Sequence, residues 1–421
     1  PEVTLGIVPG AGGTVRLPRL IAAEQAVAMV TSGRPVKAPK ALELGLIDSV
    51  IEGDDLRTGA VAFAAEAVSG GLSAPLCDRA PSAVSSDEFW AEQEATVAKS
   101  ARGAAAPLRA LACVKQAVTT DFSSAMAFER ETFLELRGSD EAKALRHVFF
   151  AERTATRPPS IKDVTPRAVT KAAVIGGGIM GAGIAAALRN AGMPVVMVER
   201  DDEALARGLA NLGGIFDGSV KRNRLTAEQR DERMAGVTGT TDYADLADVD
   251  LVIEAVFEEI SVKQAVFERL GAVCRSDAVL ATNTSYLDPR DIAAGLPHPE
   301  RFIGLHFFSP AHVMKLLEVV PTPNTAIEVL ATGFALAKRL GKMPVQAGIC
   351  DGFIGNRILK RYRAAAEDLV RKGVAIAEID AAMRDFGMAM GPFEAQDLGG
   401  LDIAFLQREG ARARGEEVAP T

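Results

Sequence analysis

The 421-residue sequence is poor in cysteine and in net positive charge, and each of these two shortages excludes a class of protein. The four cysteines lack the close spacing of a metal site or a disulfide framework, so we expect reduced thiols and no metal centre. With 47 basic and 55 acidic residues, nothing in the charge favours a nucleic acid or an anionic membrane as partner. The longest uncharged stretch, 172–188, contains five glycines, which argues against a membrane span.

What the chain does contain is 48% hydrophobic residues, enough for two or three packed domains. Residues 154–169 hold three prolines and show no apolar periodicity, so we interpret them as a linker between domains 1–153 and 170–350. Before the linker, apolar residues recur every three to four positions, which predicts helices with at most short strands between them. The predicted helices cover 22–30, 56–69, 87–100, 108–119 and 123–137.

After the linker, short apolar runs alternate with amphipathic stretches. This alternation predicts an α/β fold with a mostly parallel, Rossmann-type sheet and helices on both faces. The predicted strands cover 172–176, 195–199, 249–254, 278–282, 302–306 and 317–320. From 351 to 421 the pattern becomes all-helical, with helices predicted at 355–372 and 376–385.

A glycine motif follows the first of these strands. Gly176, Gly178 and Gly181 satisfy GxGxxG between an apolar run and a small-residue helix, which is the context of a dinucleotide-binding turn. The helix N-terminus would attract the phosphates. Glu199 ends the next predicted strand and can accept both ribose hydroxyls of an adenosine, so we expect NAD; Arg200 keeps NADP open as the alternative.

A histidine and an acid are placed for acid–base chemistry. His306 ends an apolar run at the expected carboxyl edge of the sheet, where open α/β sheets bind ligands. Glu318 lies among apolar neighbours in a strand-like segment, where a carboxylate needs a partner. A histidine held by a buried carboxylate is a good proton acceptor with a fixed tautomer, and such a base contributes about 10²- to 10⁴-fold in rate.

Four segments together resemble the L-3-hydroxyacyl-CoA dehydrogenases. They are AAVIGGGIMG at 172–181, NTS at 283–285, GLHFFSP at 304–310 and GFIGNR at 352–357, in the order and spacing of that family. The resemblance implies oxidation of an (S)-3-hydroxyacyl-CoA to the 3-oxoacyl-CoA, with reduction of NAD. It also implies that residues 351–421 are part of an all-helical C-terminal domain, which we expect to be truncated.

The resemblance assigns roles to individual positions. It implies that His306 is the general base, that Glu318 orients it, and that Ser285 and Asn356 hold the substrate oxygen. Two bland alternatives stay open: Ser285 as the cap of a turn, and Asn356 as an ordinary residue at a helix N-terminus.

Three further positions match cofactor contacts of the family. Glu258 and Lys263 match positions beside the nicotinamide half of NAD. Ser309 stands where the family most often has asparagine. Serine keeps a donor and an acceptor but has a shorter reach, which puts that contact in question.

The start of the chain resembles a different family. PEVTLGIVPGAGGT at 1–14, RLPR at 16–19 and ALELGLID at 41–48 look like the second half of a crotonase (enoyl-CoA hydratase/isomerase) domain, with Val15 in place of a usual glutamine. By that resemblance Glu2 is one of two carboxylates that add or remove water across a 2-enoyl-CoA. Because the first half of the domain is not found, we expect no hydratase activity from these 421 residues alone.

Both resemblances on one chain imply a type 1 multifunctional enzyme of fatty-acid beta oxidation. The partners then expected are an acyl-CoA substrate and, as open questions, a thiolase or further copies of the chain. Two alternatives remain: a non-catalytic NAD-binding or assembly subunit, and a dehydrogenase of short 3-hydroxy acids, which would use a lysine base. The expected compartment is the bacterial cytoplasm, or the peroxisome if the source is a eukaryote.

Overall fold

The chain divides into two units, Pro1–Ala151 and Glu152–Thr421. The structure is a computed structural model that describes residues 1–399 except 54, 72 and 83–85, together with 405, 412 and 415. No helix in this described part has the length and apolar character of a membrane span.

The first unit is built from helices. All five predicted helices are confirmed within three residues at each end, and several begin at a side-chain cap, such as Asp55, Ser86 and Asp121. Its described residues include no strand, where the sequence analysis allowed short ones. The helices are α1 (Gly13–Arg16), α2 (Ala23–Ser32), α3 (Ala38–Glu43), α4 (Leu56–Gly70), α5 (Asp87–Ala101), α6 (Ala105–Thr119), α7 (Phe122–Gly138) and α8 (Asp140–Ala155), the last of which extends past the unit boundary.

A buried carboxylate holds the glycine-rich turn of the first unit. Glu129 on α7 is almost fully buried and accepts hydrogen bonds from the Gly12 amide (2.5 Å), the Thr14 amide (2.8 Å) and the Thr14 hydroxyl (2.6 Å). Three donors to one carboxylate compensate its loss of water. The turn that contains GAGGT is therefore tied to a helix more than 100 residues further along the chain.

The second unit contains an eight-stranded sheet. The strands are β1 (Ala172–Ile175), β2 (Val195–Val198), β3 (Val237–Thr240), β4 (Leu251–Glu254), β5 (Val279–Thr282), β6 (Phe302–Phe307), β7 (Leu316–Val320) and β8 (Met343–Gln346). Their order is β3-β2-β1-β4-β5-β6-β7-β8, and every pair is parallel except β6 with β7. This confirms the six predicted strands and the mostly parallel sheet; the two edge strands were not predicted.

Helices cover both faces of this sheet, as predicted. Ala172 and Val174 of β1 pack into one core cluster and Ala173 and Ile175 into another, because successive strand residues point to opposite faces. The helices between strands are α9 (Ile179–Asn190), α10 (Asp202–Lys221), α11 (Ala227–Ala235), α12 (Ile260–Val273), α13 (Pro289–Ile292) and α14 (Ile327–Arg339). The all-helical part that follows contains α15 (Gly355–Arg371), α16 (Ile376–Phe386) and α17 (Pro392–Gly399).

The predicted linker is attached to the second unit rather than free. Helix α8 extends into it as far as Ala155, and Ile161 and Val169 pack against the core of the sheet. The Arg167 amide donates to the Thr332 hydroxyl at 2.9 Å, and its guanidinium donates to the Asp277 carbonyl at 2.9 Å. Its prolines exclude regular helix, yet its contacts fix its path.

All four cysteines are free thiols. Cys77 and Cys350 are exposed, whereas Cys113 and Cys274 are buried. Burial raises the pKa of each of the two buried thiols to about 11, since a thiolate is poorly solvated there.

Candidate functional site

The candidate site lies at the carboxyl edge of the sheet. The glycine turn follows β1, Glu254 ends β4, the segment 283–285 follows β5, and His306 lies near the end of β6. Because these strands are parallel neighbours, their ends meet at one edge. The topology thus brings together residues that are up to 130 positions apart in sequence.

The glycine turn has the space that a pyrophosphate needs. Gly176 has φ +96°, and a Cβ there would lie 2.8 Å from the Ala255 carbonyl oxygen. A Cβ on Gly181 would lie 1.7 Å from the Gly176 oxygen, whereas one on Gly178 would meet nothing within 4 Å. The first N–H groups of α9 have no side-chain cap and remain available to an anion. The turn fits a dinucleotide.

Glu199 stands just beyond β2, beside the turn. One carboxylate oxygen accepts the Gly177 amide at 2.7 Å, and the other accepts the Arg200 amide at 3.1 Å. The Arg200 guanidinium pairs with Asp201 at 3.0 Å. A carboxylate at this place and an arginine engaged elsewhere suit a ribose with free hydroxyls better than a 2′-phosphate.

His306 and Glu318 face each other across the one antiparallel pair among the described strands. They are register partners on β6 and β7, and His306 Nδ1 lies 2.7 Å from Glu318 Oε2. Both side chains are buried. The register of β6 and β7 therefore establishes the contact between two side chains that a separation of 12 residues in the sequence could not determine.

The second oxygen of Glu318 is held by the start of α15. Glu318 Oε1 accepts the amides of Ile354 at 3.0 Å and Gly355 at 2.7 Å. The His306 ring packs against the rings of Phe308 and Phe353, with centroid distances of 4.5 and 5.6 Å. These contacts fix the plane of the imidazole and keep its Nδ1 on the carboxylate.

The other ring nitrogen of His306 faces Ser285. Ser285 Oγ lies 3.2 Å from Nε2, so this serine is beside the histidine and is more than a turn cap. Its backbone is held by Glu258, whose Oε1 accepts the Ser285 amide (2.7 Å), the Tyr286 amide (3.1 Å) and the Thr284 hydroxyl (2.6 Å). Burial alone would raise the pKa of Glu258, but Lys263 and these three donors bring it below its ordinary value.

A buried ion pair continues this network inward. Lys263 Nζ lies 2.7 Å from Glu254 Oε1 and 3.2 Å from Glu258 Oε2, and both Lys263 and Glu254 are almost fully buried. The Lys263 ammonium is thus enclosed between two carboxylates, and its expected contact with the cofactor stays a prediction. Glu254 was not predicted as a site residue, although an acid at the end of an apolar strand is the same signal that identified Glu318.

Asn283 is a second residue that was missed. Its side-chain oxygen accepts the Phe307 amide at 2.8 Å, which fixes the end of β6 next to His306. Asn283 is buried, and a buried amide side chain needs a hydrogen-bond partner. An asparagine directly after a predicted buried strand is the sequence signal that could have identified it. It was quoted only as part of the NTS motif.

Three predicted residues are placed less decisively. Asn356 is the second residue of α15, and its side chain makes no hydrogen bond to another described residue. Ser309 is exposed, next to Pro310 in the β6–β7 connection. Glu2 belongs to the first unit, in the 3-10 helix Glu2–Leu5.

Comparison with known proteins decides the family. The family described as "3-hydroxyacyl-CoA dehydrogenase, NAD binding domain" matches residues 171–350, and its C-terminal domain matches 352–420. FadB2 of M. tuberculosis is 35% identical with a TM-score of 0.55, over 56% of this chain and 84% of that one. The (S)-3-hydroxybutyryl-CoA dehydrogenase PaaH1 of Ralstonia eutropha is 33% identical with a TM-score of 0.55, over 57% and 86%. The chain belongs to the 3-hydroxyacyl-CoA dehydrogenase family.

The first unit of this dehydrogenase-family chain has its own match. The family "Enoyl-CoA hydratase/isomerase" matches residues 1–75. Two relatives match this chain over its whole length. They are the peroxisomal bifunctional enzymes of Danio rerio (41% identical over 427 residues) and Homo sapiens (38% identical over 427 residues), and each match covers 100% of this chain. The chain spans 58% and 59% of their lengths. Part of a hydratase followed by the dehydrogenase domains is the arrangement of a type 1 multifunctional enzyme, as the two resemblances predicted.

Proposed function

We propose that this chain carries out the NAD-dependent oxidation of an (S)-3-hydroxyacyl-CoA to the 3-oxoacyl-CoA in fatty-acid beta oxidation. The observation that carries the proposal is the buried pair of His306 and Glu318. The second ring nitrogen of His306, Nε2, lies beside Ser285. Family membership supports the reaction, and the geometry supports the residues.

The tautomer of His306 follows from its partners. An ionised Glu318 only accepts hydrogen bonds, so Nδ1 carries the proton and Nε2 keeps its lone pair. Nε2 can then take the proton of the substrate hydroxyl, and the imidazolium that forms is stabilised by the buried carboxylate. The backbone amides of Ile354 and Gly355 keep that carboxylate in place during the proton transfer.

The residues around the glycine turn would hold the cofactor. Gly176, Gly178 and Gly181 leave room for the pyrophosphate, Glu199 would bind the adenosine ribose, and Glu258, Lys263 and Ser309 stay proposed contacts of the nicotinamide half. When bound, NAD supplies the acceptor for the hydride that leaves the same substrate carbon. Ser285 and Asn356 would hold the substrate oxygen, Ser285 from its place 3.2 Å from Nε2.

The two alternatives lack this support. A dehydrogenase of short 3-hydroxy acids would use a lysine base, and the nitrogen that lies beside Ser285 belongs to a histidine. A non-catalytic subunit would have no need for a fully buried glutamate that fixes one tautomer. The experiment that separates them compares acetoacetyl-CoA reduction by NADH in the wild type and His306→Ala.

We expect the His306→Ala rate to fall by about 10²- to 10⁴-fold, because the group that takes the proton in the oxidation, and returns it to the substrate oxygen in this reduction, is lost. His298→Ala is the control, since the His298 side chain is 58% exposed and pairs with Glu300 rather than with a buried carboxylate. Equal and negligible rates in wild type and His306→Ala would favour the non-catalytic subunit.

The remaining assignments are also proposals. We propose domain limits of 1–153, 154–169, 170–350 and 351–421, with Glu2 as a hydratase carboxylate of the whole protein. An acyl-CoA is the proposed substrate, and a thiolase or a second copy of the chain stays a predicted partner. Relatives named as peroxisomal support that compartment for a eukaryotic source, and the bacterial cytoplasm is proposed otherwise.

A further inference from the structure

We propose that Glu254 makes the site prefer the oxidised over the reduced cofactor, through an excess negative charge buried beside the nicotinamide position. The inference rests on the proposed function and adds a residue to which no role has been assigned. It starts from one unusual feature, a single buried ammonium shared by two carboxylates.

The side chain of Glu254 is surrounded by hydrogen-bond donors. It is fully buried at the end of β4, and each of its contacts comes from a donor: the Val256 amide (2.8 Å), the Lys263 ammonium (2.7 Å) and the Thr282 hydroxyl (2.7 Å). The hydroxyl and the amide add to the ion pair, as a buried carboxylate requires.

The cluster of Glu254, Lys263 and Glu258 carries one uncompensated charge. Glu258 is ionised, because Lys263 and three further donors hold its pKa below the ordinary value although the side chain is partly buried. Two carboxylates and one ammonium leave a net charge of −1. Lys263 alone would have neutralised Glu258, so Glu254 is the source of the excess.

This charge lies beside the reaction centre. Glu258 accepts the Ser285 amide at 2.7 Å, and Ser285 Oγ is 3.2 Å from His306 Nε2. The proton taken by His306 and the hydride leave the same H–C–O–H group, so the nicotinamide end of the cofactor must come to this side of the site. Its ring is cationic in NAD⁺ and neutral in NADH, and a nearby negative charge binds only the first more tightly.

The size of the effect follows from Coulomb's law. One unit charge on the order of 10 Å from the ring, at an effective dielectric constant of about 20 to 40, changes the ratio of the two dissociation constants roughly four- to fifteenfold. Glu254→Gln keeps the shape: its oxygen can accept from Val256 and Lys263 while its NH₂ donates to the Thr282 hydroxyl, which turns round to accept, and the charge is removed. It should therefore weaken NAD⁺ by that factor and leave NADH within about twofold.

The experiment measures cofactor binding without turnover on the full 421-residue chain. NADH is titrated by its fluorescence and NAD⁺ by calorimetry, for wild type and Glu254→Gln, with thermal melting as the check of folding. Glu259→Gln is the matched control, because Glu259 is exposed and its side chain accepts a hydrogen bond from the Ser261 hydroxyl rather than from Lys263. Thr282→Val is the control for geometry, because it removes a hydrogen bond of Glu254 and no charge.

A shift of the Kd ratio in Glu254→Gln, with none in either control, supports the inference. An unchanged ratio, or an equal loss of NAD⁺ and NADH, overturns it and leaves Glu254 with a structural role only. If Glu254→Gln does not fold, Glu258→Gln removes the other negative charge and must shift the ratio in the same direction. A wild type that binds neither form contradicts the proposed function itself, which is a distinguishable result.

Discussion

Glu318→Gln tests the proposed proton chemistry most directly. Glutamine has the size of glutamate, so it can still accept the amides of Ile354 and Gly355 through its oxygen. Its NH₂ group then faces His306 Nδ1, which must become the acceptor, and the ring proton moves to Nε2. In the oxidation, the nitrogen that should take the substrate proton then has no lone pair for it; in the reverse reduction, the imidazolium that returns this proton has lost its anionic partner.

Two losses add up in this variant. The 2.7 Å hydrogen bond between His306 and a buried carboxylate is charge-assisted, and such bonds contribute about 1.5–3 kcal/mol, or roughly 10- to 150-fold in rate. A wrong tautomer can raise the total loss to about 10⁴-fold, as in the serine-protease triad. We therefore expect kcat for acetoacetyl-CoA reduction to fall by about 10²- to 10⁴-fold.

The assay follows NADH absorbance during reduction and NADH fluorescence during binding. The Kd of NADH should stay within about twofold, because Glu318 is bound to His306 and α15 rather than to the glycine turn. Glu328→Gln is the matched control, since Glu328 is an exposed glutamate in the first turn of α14. A folded Glu318→Gln enzyme with kcat within threefold of wild type would refute the assigned tautomer and the role of the pair.

Three further predictions concern the cofactor turn, acid stability and the thiols. Gly178→Ala should keep the wild-type Tm but weaken NADH binding, measured by fluorescence, at least tenfold, since the added Cβ would meet only the space left for the pyrophosphate. Gly181→Ala should lower the Tm as well, because the Cβ added there would lie 1.7 Å from a backbone oxygen. Burial would raise the pKa of Asp250, but hydrogen bonds from the Thr170 hydroxyl, two amides and an arginine lower that pKa well below the ordinary value, so the stabilisation from Asp250 is present above pH 4 and is lost as the pH falls below that. Asp250→Asn should therefore reduce the free energy of unfolding by about 2 kcal/mol at pH 7. This difference between variant and wild type should shrink in thermal melts at pH 3. A thiol reagent at pH 8 should label Cys77 and Cys350 rapidly and the two buried cysteines only after denaturation, as counted by absorbance; four rapid equivalents would contradict the burial.

The fold was largely predictable because its signals are local. Six strands of the sheet are short apolar runs buried on both faces, and such runs are visible in any window of the sequence. The two edge strands lack that signal. Val237–Thr240 has no fully buried residue, and Met343–Gln346 contains Pro344, so each is a strand only because a neighbour supplies its hydrogen bonds.

The site was predictable in its residue types and less so in its connections. His306 and Glu318 could be paired because a buried acid needs a partner, but their antiparallel register is a property of the sheet. The network of Glu254, Lys263 and Glu258 joins the end of one strand to a helix and a loop, and no sequence spacing indicates which carboxylate meets which cation.

The antiparallel step between β6 and β7 makes loop length part of the chemistry. Everywhere else in the sheet a crossover can lengthen without separating two neighbouring strands, since helices absorb the change. Between His306 and Glu318 the connection is the short stretch 308–315, and a slip of one residue would turn the carboxylate to the opposite face of the sheet. An insertion there that shifts the register by one residue should therefore silence the enzyme as completely as the removal of its base, while every side chain of the site is still encoded.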